Sequence, residues 1–239
     1  MKSDTCGLFK TAKRENKDNA SSLFHTICPR GYREIDAAKF ENPEHLKTAL
    51  EIPVDFDEPG YAPGLLLFGK SGTGKTRTAW KFIEKAILTD WAVAIATTDG
   101  LGWKNMCWQM AMEGAAEFSD FIEEVAGDTY EIFFLDDLDK DKLTAGASRA
   151  LLHVIEQRTA NHYLTVITTG ISGVQLERKI IADMQADEKD ADGSKAVAES
   201  IIRRFRDTSL FNSINFNAKA TKPPTEALTA GQTAEGGRI

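Results

Sequence analysis

Apolar positions along the chain fall into two rhythms. From Gly64 onward, short apolar runs alternate with longer amphipathic stretches; the runs are Leu65–Phe68, Ala92–Thr97, Ile132–Leu135, Leu164–Thr168 and Leu210–Phe216. Strands spaced by helices in this way predict an α/β fold, a parallel sheet sandwiched between helical layers. Helices are expected over 75–88, within 100–126, and over about 147–158, 174–184 and 196–206. In the last of these Val197, Ile201 and Phe205 recur at every fourth position and line one face for burial.

The flanks read differently. Residues 1–30 are polar and mixed in charge, with Lys10, Lys13, Arg14 and Lys17 as their basic cluster, and they predict a flexible or weakly helical arm. A short helix fits between Asp36 and Leu50, before Pro53, Pro59-Gly60 and Pro63-Gly64 interrupt regular structure. The charged stretch Asp187–Ser194 reads as a solvated loop, and residues 217–239, with Lys222-Pro223-Pro224 and Gly236-Gly237, as a disordered tail. The core domain is therefore expected over 31–216.

Length and composition agree with one α/β domain plus extensions: 239 residues, 42% hydrophobic and 27% charged. No apolar run approaches the roughly 20 residues of a membrane span. The N-terminus lacks the apolar segment of a signal peptide, so the expected location is cytoplasmic. Three cysteines, Cys6, Cys28 and Cys107, form no C-x-x-C pair and predict reduced thiols, not a disulfide framework or a zinc site. A formal net charge of −7 argues against a protein that coats nucleic acid by overall basicity, while leaving room for a local basic strip.

One stretch carries specific chemistry. Gly69-Lys70-Ser71-Gly72-Thr73-Gly74-Lys75-Thr76 fits G-x-x-x-x-G-K-[ST], with a predicted strand leading in and a predicted helix leading out. Glycines at 69, 72 and 74 let the backbone curl so that successive N–H groups and the helix N-terminus face a phosphate. Lys75 would neutralise the β- and γ-phosphates of ATP, and Thr76 would offer its hydroxyl to Mg²⁺. The strand Ile132–Leu135 runs into Asp136 and Asp137, which a parallel sheet delivers to its C-terminal edge. Asp136 would hold Mg²⁺ through its water shell, and Asp137 would orient or deprotonate the attacking water. The strand from Leu164 ends in Thr168-Thr169-Gly170, where a hydroxyl can bond the γ-phosphate or water, or threonine can simply suit a strand end. Arg203-Arg204-Phe205-Arg206 closes the last helix; by position alone these charges complement the helix C-terminus.

This order of parts, from about Cys28 to Phe216, resembles the AAA+ ATPases of the DnaC and IstB group. These are replicative-helicase loaders and transposition helpers. Cys28-Pro29-Arg30-Gly31-Tyr32-Arg33 is similar to the segment preceding the core in phage and plasmid members, and Ile155-Glu156-Gln157-Arg158 is similar as well. The resemblance implies Lys75 and Thr76 on phosphate and Mg²⁺, and Asp136 with Asp137 as the acidic pair. It implies Arg204 as a finger reaching a neighbouring subunit's nucleotide. Two departures follow. Gly170 stands where members usually carry a polar sensor, leaving Thr169 to substitute, and the chain ends without room for a full helical lid.

The expected function is therefore ATP binding and hydrolysis in DNA replication, with helicase loading as the expected task. The transposase-helper role shares the same core, and a low-turnover ATP-binding adaptor is the reading that Gly170 favours. A small-molecule kinase fits less well, since the 187–194 segment has the wrong sign for a phosphate-covering lid. Expected partners are a replicative helicase or a transposase, single-stranded DNA, and further copies of the chain assembled with ATP.

Overall fold

A computed structural model of the chain describes residues 10–13, 20–34, 40, 42–55, 58, 60–89, 94–188 and 190–217. Cys6, Arg14, Lys17, the start of the strand expected from Ala92, and the tail from 218 lie outside the described residues. Six strands, β1 (Lys10–Lys13), β2 (Gly64–Phe68), β3 (Ala94–Asp99), β4 (Ile132–Asp136), β5 (Leu164–Thr169) and β6 (Phe211–Asn215), form one sheet in the order β1-β3-β4-β5-β2-β6. From β3 to β6 all neighbours are parallel. The edge strand β1 is antiparallel to β3, with Lys10 opposite Thr97. The N-terminal segment, expected as a flexible or weakly helical arm, thus contributes a sheet strand and the helix α1 (Ala20–Ile27). Four residues with no apolar alternation give no strand signal; backbone pairing to β3 supplies what the side chains do not.

The remaining helices are α2 (Arg30–Arg33), α3 (Pro43–Glu51), α4 (Lys75–Leu88), α5 (Gly100–Glu113), α6 (Ala115–Ala126), α7 (Ala145–Ala160), α8 (Gly173–Gln185) and α9 (Ala191–Arg206). They cover both sheet faces, which is why the central strands read as apolar runs. Leu65, Leu67, Phe134 and Val166 point to the face covered by α1, α3 and α4, where they meet Leu23, Phe24, Ala49, Trp80 and Ile83. Leu66, Phe133, Leu135 and Ile167 point to the other, against Trp103, Ile122, Leu151, Ile180 and Ile201. No helix among the described residues is long and apolar enough to cross a membrane.

Helix ends explain where the expected boundaries move. Asp190, placed by its charge in a solvated loop, is the N-cap of α9 and accepts from Gly193 N at 2.9 Å. Asp187 accepts from Ala145 N at 3.0 Å at the start of α7, and Glu188 pairs with Arg149. The acidic stretch is therefore short at 187–190, and 191–194 form the first turn of α9. Arg158 is buried at 0% exposure. Its guanidinium donates to the carbonyls of Val125, Tyr130, Glu131 and Leu164, and to Thr165 Oγ1, at 2.8–3.0 Å. It pins the end of α6 and the entries of β4 and β5, so the register of the two strands that carry the site is fixed from their far ends.

Candidate phosphate and metal site

The loop from Gly69 to Gly74 lies between β2 and α4 at the sheet's C-terminal edge. Gly69, Gly72 and Gly74 have φ of 141°, 84° and 101°, values that side chains rarely adopt. A Cβ on Gly69 would also stand 3.0 Å from Phe216 Cβ. Gly74 is the N-cap of α4 and no side chain caps it, so the first N–H groups of that helix face the loop. Lys75 is 5% exposed and folds back into the loop, donating to Gly69 O at 2.6 Å and Lys70 O at 2.8 Å. Burial holds its ammonium below the usual lysine range, opposed by the nearby carboxylates of Asp137, Asp139 and Asp136. Lys70 N donates to Asn217 Oδ1 at 2.9 Å, which ties the end of β6 to the loop. Asn217, counted above with the tail, belongs to the structured domain.

The acids meet the loop through hydroxyls. Thr76 Oγ1 donates to Asp136 Oδ1 at 2.9 Å, and Thr168 Oγ1 donates to the same oxygen at 2.5 Å. Thr168 Oγ1 in turn accepts from Asp137 N at 2.8 Å. Strand order accounts for this: β5 lies between β4 and β2, so its terminal threonines stand between the acids and the phosphate loop. Burial raises the Asp136 carboxyl above its usual range, and the hydrogen bonds from Thr168 and Thr76 act against that rise. Asp137 has a left-handed backbone, φ 48°, a region in which Asp is better tolerated than most residues. The turn brings Leu138 N onto Thr168 O at 2.9 Å, and the Asp137 carboxylate pairs with the exposed Lys140 at 3.2 Å.

Among the described residues, no group of three or more His, Cys, Asp or Glu side chains is disposed to hold a metal. Thr76 and Asp136 supply one hydroxyl and one carboxylate, which is the donor set suited to Mg²⁺ arriving on phosphates and keeping several waters. The residues present fit that ion.

Of the residues singled out in the sequence, the structure brings together Gly69, Lys70, Ser71, Gly72, Thr73, Gly74, Lys75, Thr76, Asp136, Asp137 and Thr169. Thr169 is 1% exposed, and its hydroxyl donates to Asp139 Oδ1 at 2.9 Å. Arg204 does not join them. Its guanidinium pairs with Glu156 on α7 and donates to Ser200 O at 3.1 Å. Two further residues take part. Thr168, whose strand-end hydroxyl was a candidate for phosphate or water, bonds both acids instead, which needs the strand order to be seen, and Asp139 receives the hydroxyl of Thr169.

Residues 65–189 match the family described as the ATPase family associated with various cellular activities (AAA). No curated protein matches the chain. Among solved structures, DnaI is 17% identical with a TM-score of 0.56, the match covering 79% of this chain and 94% of that one. A putative primosome component from Streptococcus pyogenes serotype M3 is 19% identical at a TM-score of 0.50, covering 79% and 89%. AMPPCP-bound DnaA from Aquifex aeolicus is 15% identical at 0.50, covering 79% of this chain and 51% of that one. The chain thus spans about half the length of that DnaA. At such identities these structures share the fold. The family match is of another kind: it runs over more than half of the sequence and takes in both the phosphate loop and the acids that face it, so the chain belongs to the AAA family of ATPases.

Proposed function

We propose that the chain binds Mg-ATP, hydrolyses it to ADP and phosphate, and acts in DNA replication by loading a replicative helicase. The observation that carries the enzymatic part is the convergence of Thr76 and Thr168 on one oxygen of Asp136, beside a loop whose lysine is buried. Bound Mg²⁺ would supply charge neutralisation across the β- and γ-phosphates. Lys75 exchanges its two loop carbonyls for phosphate oxygens. Asp137 accepts a proton from water as the water oxygen bonds to the γ-phosphorus and the bond to the bridging oxygen of ADP breaks.

Helicase loading draws its support from the fold shared with DnaI and the Streptococcus pyogenes primosome component, each matched over most of its length. In this reading the chain assembles with ATP, and Arg204 exchanges Glu156 for a neighbour's γ-phosphate. The low-turnover adaptor reading retains one specific observation, the absence of a side chain at Gly170. Steady-state ATP hydrolysis, measured with and without single-stranded DNA and compared with Lys75→Ala, separates these. Turnover lost in Lys75→Ala supports the ATPase, and tight ATP binding without turnover supports the adaptor. Co-purification with a replicative helicase, and not with a transposase, tests the task.

A further inference from the structure

Just past the end of β5, residue 170 is glycine and brings no side chain, but the space is filled. A Cβ built on Gly170 would lie 2.9 Å from Asp139 Oδ2, so the Asp139 carboxylate occupies the volume that a side chain at 170 would need. It is held there from one oxygen: Oδ1 accepts from Thr169 Oγ1 at 2.9 Å and from Gly170 N at 2.5 Å. Those donors lie thirty or more residues further along the chain, on another strand, so this is not a local turn cap. The second oxygen, Oδ2, accepts no hydrogen bond among the described residues.

The location is that of the phosphate site. Thr169 O accepts from Gly69 N at 3.1 Å, and Gly69 O accepts from Lys75 Nζ at 2.6 Å, so one residue separates the Asp139 contact from the loop that holds the lysine. The contact also decides what Thr169 can do. A hydroxyl has one proton, and this one is given to Asp139, so in this arrangement Thr169 donates nothing to a phosphate. The end of β5 therefore presents a carboxylate, which accepts from water and repels phosphate, in the place of a neutral donor.

We propose that Asp139 takes part in the phosphate site and stands in for the side chain that Gly170 lacks. It fixes Thr169 and the end of β5 beside the loop, and its Oδ2 accepts a hydrogen bond from the water that attacks the γ-phosphate. No proton transfer is assigned to it. This rests on the chain hydrolysing ATP as proposed above.

The test is a four-variant set, Asp139→Asn, Asp139→Gly, Gly170→Asn and the double Asp139→Gly/Gly170→Asn. Each is assayed for kcat and KM of ATP hydrolysis, affinity for AMPPCP, and thermal melting, beside wild type and Lys75→Ala. Asp139→Asn retains an oxygen for Thr169 and Gly170 but puts an amide where Oδ2 stood. It is expected to melt like wild type and to keep AMPPCP affinity and KM within about threefold, while kcat falls at least about tenfold. Gly170→Asn alone meets Asp139 Oδ2 and is expected to lose both melting temperature and kcat. The double variant removes that encounter and returns a polar group to the end of β5, so its kcat should exceed that of either single glycine-site change. A kcat in Asp139→Asn that falls less than about tenfold, or a double variant no better than its better parent, overturns the assignment. Absence of turnover in wild type, or turnover that survives Lys75→Ala, instead overturns the ATPase reading and this inference with it.

Discussion

Replacing Thr168 with valine removes one hydroxyl and little volume, and the structure makes that hydroxyl unusually expensive to lose. It donates to Asp136 Oδ1 at 2.5 Å and accepts from Asp137 N at 2.8 Å. Thr168 is 0% exposed, so water cannot take over either bond. A hydrogen bond to a charged group contributes about 1.5–3 kcal/mol, and an orphaned buried N–H costs about 1–3 kcal/mol. The two overlap, since Asp136 keeps its bond from Thr76, and a net loss of roughly 2–4 kcal/mol is expected. In a domain of this size that lowers the melting temperature by about 5–15 °C. Function should suffer separately, because Asp136 loses one of the two bonds that aim it. The Mg²⁺-dependent part of nucleotide affinity should fall about 10–100-fold, as for other partners that orient a metal ligand. Melting followed by circular dichroism, and titration of a fluorescent ATP analogue with Mg²⁺ or with chelator, measure the two effects. Thr168→Ser, which keeps the hydroxyl, should recover most of both. A valine variant that melts within about 2 °C of wild type and binds Mg-nucleotide normally would refute the role given to Thr168.

Asp137→Asn keeps a residue suited to the left-handed backbone at that position, so Mg-ATP binding should persist while hydrolysis drops at least about a hundredfold; normal turnover removes Asp137 from the mechanism. Arg158→Met should cost about 3–5 kcal/mol in urea denaturation, because it strands four backbone carbonyls; a midpoint near wild type would show that they find other donors. Burial pushes the thiols of Cys28 and Cys107 from 9.0 up to about 12. The folded state then keeps protons that the unfolded state gives up, so their contribution to stability is complete below pH 9 and is lost as pH rises toward 12. Neither thiol should be alkylated by iodoacetamide at pH 8 without denaturant, and rapid labelling at either position seen by peptide mass would contradict this.

Sequence alone determined the parts whose signal is local. Leu65–Phe68 ahead of three glycines and Lys75 can be read as strand, phosphate loop and helix because each needs only its own neighbours: burial on both faces, positive φ, and free N–H groups at a helix start. The run from Ile132 into Asp136 and Asp137 was legible for the same reason. Only the tertiary structure decided which hydroxyls meet those acids, since that depends on β5 lying between β4 and β2, and strand order is set by packing across the whole sheet. It decided that Lys10–Lys13 is a strand, because pairing to β3 is a backbone property that leaves no mark in polar side chains. It turned the acidic stretch near 190 into a helix cap, and tied Arg204 to Glu156 on α7. It also filled the gap at Gly170 with Asp139, a residue from another strand's exit: an absent side chain is visible in the sequence, but what occupies its place depends on contacts between distant segments.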